Sequence, residues 1–167
     1  MRAAVWLLPV GLQGFLMLVD EFRFHWRRGL SRREWTGHVL DSAGLLLCLA
    51  LPLLLTPTPA HLALYLALGA GSCALVTKDE FIHQRECTGG EHWCHAALFL
   101  LHPVVLMAVA GLWLCAFQAE ATLRLGALLG LPVPGPGAAL AMIRAQAAGV
   151  AAFMGLQVAM GLRHGRQ

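Results

Sequence analysis

Acidic and imidazole side chains recur in this chain as four pairs at three- or four-residue spacing: Glu21 with His25, Glu34 with His38, Glu80 with His83, and Glu91 with His95. Residues so spaced on a helix stand one above the other on the same face. Each pair therefore offers a carboxylate and an imidazole in one direction. Four such faces turned toward one point can hold two metal ions, with the carboxylates bridging or chelating and the imidazoles as terminal ligands. Mixed nitrogen and oxygen donors suit iron, manganese or zinc better than calcium or magnesium, which prefer oxygen alone. Asp41 extends the second pair by three residues, and His102 extends the fourth by seven, about 10.5 Å along a helix axis. With His92, these two are expected to orient ligands or to carry protons.

The acids are not scattered. Of nine, eight fall in two windows: Asp20, Glu21, Glu34 and Asp41, then Asp79, Glu80, Glu86 and Glu91. The two windows look like copies of one unit. Asp20-Glu21-Phe22 followed by His25 is echoed by Asp79-Glu80-Phe81 followed by His83, and Glu34-x-x-x-His38 by Glu91-x-x-x-His95. Each copy reads as a helix, a short basic loop and a returning helix, so the copies would be related by a pseudo-two-fold axis along a membrane normal. Asp20 and Asp79 read as solvated helix ends. Glu34 and Glu91 also suit the electropositive first turn of a helix, although that alone leaves His38 and His95, four residues inward, without a reason.

The elements that must position these groups are membrane helices. The chain is 58% hydrophobic and 13% charged over 167 residues, about half the charge of a soluble domain, and too apolar to be disordered. Apolar stretches near Ala3–Val19, His38–Leu55, Leu62–Val76, His95–Phe117 and Ala138–Leu162 approach the roughly 20 residues that cross a bilayer. An all-α protein of five transmembrane helices follows, read as a single membrane domain over 1–167. Spans one to four form a four-helix bundle of two hairpins (1–55 and 62–117), 118–137 is an outer loop, and 138–167 holds a fifth helix and a tail. Asp20-Glu21 stands where a signal peptide would have its small cleavage residues, so the first span is retained. Arg23, Arg27, Arg28, Arg32, Arg33, Lys78, Arg85, Arg163 and Arg166 all fall on one side. The positive-inside rule then sets the N-terminus outside and the C-terminus in the cytoplasm of a multi-pass cell-membrane protein. The same arginines would suit anionic lipid headgroups.

Carboxylates inside a membrane are costly and normally face an interior partner. Divalent cations satisfy carboxylates and neutral histidines together. On these residues the pattern resembles the ferritin-like di-iron and di-manganese carboxylate sites, which combine Glu from two helices with Glu-x-x-His from two others. Glu80-Phe81-Ile82-His83 is the matching motif, with Glu21, Glu34 and Glu91 as the remaining carboxylates. Three pairs here are spaced Glu-x-x-x-His instead, and four histidines stand in place of two. The resemblance implies two metal ions, iron first and zinc or manganese as alternatives, and redox or oxygen chemistry.

The expected function is an oxidoreductase in which Glu21, His25, Glu34, His38, Glu80, His83, Glu91 and His95 hold metal, while Asp41, His92 and His102 assist. Its expected partners are membrane lipid, a lipid-soluble substrate or electron donor, and a further membrane protein. The alternatives are a zinc-dependent hydrolase or a non-enzymatic metal-handling or accessory subunit. Nucleic acid is not an expected partner, because the basic cluster is short and lies against the membrane. Walker, dinucleotide-binding and Gly-x-Ser-x-Gly motifs are absent. Five cysteines form no CxxC and leave one over, which argues against a disulfide scaffold; Cys87 and Cys94 lie near enough to the acidic pairs to ligate. Trp26, Trp35 and Trp93 read as an interfacial belt, and Arg144, inside the fifth span, needs a polar partner there.

Overall fold

A computed structural model describes residues 2–26, 31–83 and 88–164, with side chains described for 5–26, 31–77 and 88–162 apart from 119, 121, 122 and 125. A 3-10 helix over Arg2–Leu7 leads into α1 (Leu8–Val19), which continues without a break into a π-helical turn, Asp20–His25. There follow α2 (Arg32–Leu54), α3 (Pro59–His83), α4 (Gly89–Phe117), α5 (Ala119–Leu129) and α6 (Pro136–His164). The described residues are 91% helical and contain no strand. Five helices are long and apolar enough to cross a membrane: Val5–His25, Arg32–Leu54, Pro59–Thr77, Gly89–Phe117 and Pro136–Leu162.

The helices run past the apolar stretches that announce them, and two capping boxes explain why. Before α2, the Ser31 hydroxyl accepts from the Glu34 amide while the Glu34 carboxylate accepts from the Ser31 amide at 2.9 Å. Before α4, Thr88 and Glu91 make the same reciprocal pair, at 3.4 Å in both directions. Each box satisfies two orphan backbone donors, starting the helix one to two turns upstream of its apolar run. Glu34, His38, Glu91 and His95 consequently lie on helix and not in loop. Ser31→Ala or Thr88→Ala should cost about 1 kcal/mol each, lowering the unfolding midpoint by roughly 2–4 °C, as thermal circular dichroism in detergent would read.

The segment expected as an outer loop contains α5, an amphipathic helix that ends at Gly130. Gly130 is the one residue with positive φ (62°) among the described residues, a conformation that costs glycine no Cβ clash.

Packing gives the fifth span a larger share than a four-helix bundle plus one added helix suggests. Helix α6 lies against both α2 and α4, and its contact with α2 is the most extensive in the molecule. Helix α3 packs on α2 and α4, α1 packs on α4, and α1 and α2 hardly touch. The fifth span is thus a wall of the bundle. One glycine permits the close approach: at Gly161 the backbone comes so near the Trp35 indole that a Cβ would overlap the ring, whereas Gly149 and Gly155 have nothing within 4 Å and Ala145, Ala148, Ala151 and Ala152 are exposed. The core gathers Leu45, Cys48, Leu49, Tyr65, Val105, Val109, Leu112, Trp113, Ala139 and Ile143 from α2, α3, α4 and α6. Outward, apolar side chains such as Leu8, Phe15, Leu47, Leu66 and Met107 are exposed, the surface a lipid-facing bundle needs.

The end of the bundle opposite the histidines is tied by side chains reaching loop carbonyls. Trp6 Nε1 donates to Pro132, Trp113 Nε1 to Leu55 and Gln118 Nε2 to Pro57, each at 2.9 Å.

Candidate metal centre

At the other end, three elements converge. The π turn contributes Asp20, Glu21 and His25, α2 contributes His38, and α4 contributes Glu91 and His95. Two three-residue groups have potential ligand atoms all within 4.8 Å of one another: Asp20, His25 and His38, and His25, Glu91 and His95. His25 belongs to both. Its Nδ1 lies 3.5 Å from Asp20 Oδ2, and its Nε2 lies 3.2 Å from Glu91 Oε1. Asp20 Oδ1 in turn meets His95 Nε2 at 2.9 Å. The His25 ring lies edge-on to His38 at a centroid distance of 4.8 Å and tilted to His95 at 6.0 Å.

The π turn decides which acid faces His25. An α-helix would stack Glu21 on His25, four residues apart, whereas the wider turn of an i→i+5 helix brings Asp20, five residues away, onto the imidazole. Asp20, expected at a solvated helix end, is 4% exposed; it is the site residue that sequence reasoning missed. The acid-to-histidine spacing of five was its available signal, but a regular helix places those two side chains on different faces.

Glu21 is 1% exposed and lies outside both groups. It lines the same cavity as Gln157, whose Oε1 accepts from Ser42 Oγ at 2.8 Å. Glu21 Oε1 has no hydrogen-bond partner among the described residues. Glu91 divides its work, with Oε2 in the capping box and Oε1 toward His25. Glu34 is buried and caps α2 through Oε2, and the structure does not bring it into either group. The side chains of Glu80 and His83 lie outside the described residues, as do Asp79, Glu86 and Cys87.

His102 and Asp41 line a neighbouring cavity, and His92 is half-buried; none of the three joins the two groups. His102 bridges three helices, with Nε2 2.8 Å from Ser72 Oγ and Nδ1 3.3 Å from Gln13 Nε2. Cys94 Sγ donates to the Leu16 carbonyl. Trp35, expected in the interfacial belt, instead donates Nε1 to the Gln157 carbonyl at 2.8 Å and ties α2 to α6, while Trp26 and Trp93 are exposed. Arg144 is exposed on α6, facing away from the bundle interior.

These side chains could hold a metal ion. Metal–ligand bonds of about 2.0–2.2 Å place neighbouring ligand atoms roughly 3 Å apart; one pair in each group is near that spacing, 3.5 Å for Asp20 with His25 and 3.2 Å for His25 with Glu91, while the groups as a whole span up to 4.8 Å. Two buried carboxylates beside three imidazoles form a chemically mixed group that a divalent cation neutralises and coordinates at once. Beside them lies a cavity of about 380 Å³ whose lining mixes polar residues, among them Asp20, Glu21, His38, Asp41 and His95, with apolar ones such as Leu45, Phe99 and Phe153. No protein-family model, curated protein or solved structure matches the chain.

Proposed function

We propose that the chain is a membrane-embedded oxidoreductase with two metal ions, iron foremost, acting on a lipid-soluble molecule held in the cavity beside them. The observation that carries this reading is the pair of ligand groups sharing His25, three of whose members, Asp20, His38 and His95, also line the neighbouring cavity. In this scheme Asp20, His25 and His38 would hold one ion, and His25, Glu91 and His95 the other, which requires His25 to release its ring proton to solvent so that both nitrogens can ligate. His25 offers a different ring nitrogen to each acid. Glu80 and His83, at the end of α3, would add the carboxylate and imidazole that the ferritin-like pattern calls for. Glu34 keeps the start of α2 in place, and His102 fixes the cavity wall. Iron, when bound, supplies one-electron chemistry toward oxygen or an organic substrate. The apolar walls keep water from the reacting end and accept an acyl or quinone-like chain. Glu21 stands at that end as a proton acceptor.

The histidine-rich end is assigned to the cytoplasmic side by the arginine distribution, with the N-terminus outside and the C-terminus inside a cell membrane. The two-hairpin repeat is part of the same proposal. It is supported by the matching capping boxes of α2 and α4 and by the packing of α1 on α4 as α3 packs on α2.

Elemental analysis of detergent-purified protein, wild type beside His38→Ala and His95→Ala, tests the reading. About two equivalents of iron, reduced in both variants, is the expected result. One equivalent of colourless zinc would favour hydrolysis through a metal-bound water, and loosely exchanging metal would favour a metal-handling role. Full retention in both variants would remove these histidines as ligands.

A further inference from the structure

Helix α1 meets the bundle through α4 and hardly through α2, so the places of Asp20 and His25 in the centre depend on how α1 is set along α4. Two polar contacts cross that seam in one register. Asp20 Oδ1 meets His95 Nε2 at 2.9 Å, and Gln13 Nε2 meets His102 Nδ1 at 3.3 Å. On each helix the two members stand seven residues apart, about 10.5 Å along the axis, so the second contact is a rung that repeats the first two turns deeper. His102 and Gln13 are 3% and 6% exposed, and His102 Nε2 also meets Ser72 Oγ of α3 at 2.8 Å. The Gln13 amide nitrogen can only donate, so Nδ1 accepts and Nε2 carries the proton toward Ser72. One turn either side of the rung stand Val10 and Met17 on α1 and Leu98 and Val105 on α4. Inside a bilayer helices gain no hydrophobic drive from meeting, so apolar positions of this kind leave neighbouring registers close in energy. Cys94 adds only a thiol contact of 3.5 Å to the Leu16 carbonyl.

The rung is a poor device for stability. Gln13 Oε1 is buried without a hydrogen-bond partner among the described residues, so the amide is half satisfied. Replacing both partners of such a contact by apolar groups of similar size is often neutral or stabilising. Directional contacts suit the other use of a buried polar group, the choice of one register among several. Resting on the reading of Asp20, His25 and His95 as metal ligands, we propose that Gln13 and His102 are positioning residues. Their rung, anchored to α3 through Ser72, sets α1 along α4 and so brings Asp20 level with His95. A slip of one turn would carry Asp20 about 5.4 Å along the axis, out of reach of His95 and of an ion held beside it.

The test is to exchange the rung in the full-length protein in detergent and to read register, metal and stability separately. Nitroxide labels at Phe15→Cys and Leu100→Cys, both exposed positions, report α1 against α4 by pulsed electron paramagnetic resonance. The background is Cys73→Ala with Cys87→Ser, in which the remaining native cysteines are buried. Gln13→Leu with His102→Leu should keep the unfolding midpoint while displacing or broadening the label distance. The same variant should weaken ferrous-ion affinity about 10-fold or more, as loss of a ligand-orienting residue does. Gln13→His with His102→Gln, which returns a polar pair to the same rung, should recover both distance and affinity. An unchanged distance and affinity in the leucine variant overturns the proposal. So does a leucine variant that unfolds, because the rung would then hold the fold and not its register, and so does no recovery in the exchanged pair. If the distances behave as expected in protein that binds no ferrous ion, the register role stands and the metal reading falls, so the two failures are distinguishable.

Discussion

His25→Ala should empty the centre of metal altogether, where His38→Ala and His95→Ala each impair one half of it. The reason is topological. His25 is the only residue common to both groups of clustered ligand atoms among the described residues, with one ring nitrogen toward Asp20 and the other toward Glu91. Losing a residue that merely orients a ligand lowers metal affinity roughly 10- to 100-fold, and removing a shared ligand should do at least as much at both positions. The same change leaves two buried carboxylates short of a partner, and breaking a buried pair from one side costs about 3–5 kcal/mol. His25→Gln, which keeps a polar group in place, separates loss of ligation from loss of folding. His92→Ala is the control that should retain full metal, because His92 lies outside both groups. Elemental analysis beside a thermal unfolding curve reads both effects.

The second large effect is expected at Gly161→Ala, far from any ligand. A single Cβ there would overlap the Trp35 ring, and that ring is fixed because its Nε1 donates to the Gln157 carbonyl of the same helix. Over-packing of this kind costs about 1–3 kcal/mol, and a broken indole bond adds about 1 kcal/mol. Alanine returns up to about 1 kcal/mol through its higher helix propensity, so the steric loss wins. A fall of several degrees in the unfolding midpoint should follow. The Gln157 side chain holds Ser42, and both line the cavity, so the displacement should also reach it. Trp35→Leu in the Gly161→Ala background should recover part of the loss; no recovery would place the damage elsewhere.

Much of this was legible in the residues. Five membrane-length helices followed from the apolar runs, and the convergence of imidazoles and carboxylates followed from their confinement to two windows. What escaped was local geometry. The reading of Glu21 over His25 assumed a regular helix, and a π turn shifted the partner by one residue to Asp20, which periodicity had assigned to solvent. Ser31-x-x-Glu34 and Thr88-x-x-Glu91 are visible as capping boxes, yet their glutamates stood equally well as ligands at four-residue spacing from His38 and His95. The structure shows the two roles divided, with Glu91 serving both and Glu34 the cap. The berth of the fifth span between α2 and α4 was not legible in its pattern, because its contacts come from scattered buried residues, Ala139, Ile143, Gln146, Gln157 and Met160, while most of its alanines and glycines are exposed.

The tryptophan and glutamine ties at the far rim carry a consequence for how the molecule breathes. Three loop carbonyls, those of Leu55, Pro57 and Pro132, are each claimed by a side chain from a distant part of the chain, so the helix ends there cannot separate without breaking directional bonds in concert. Helices α1 and α2 scarcely touch and meet through His25 on His38, so opening between them breaks fewer contacts than opening at this rim. Amide protons near the rim should exchange slowest. The seam between those two helices is the natural slot through which a guest could slip sideways out of the surrounding leaflet.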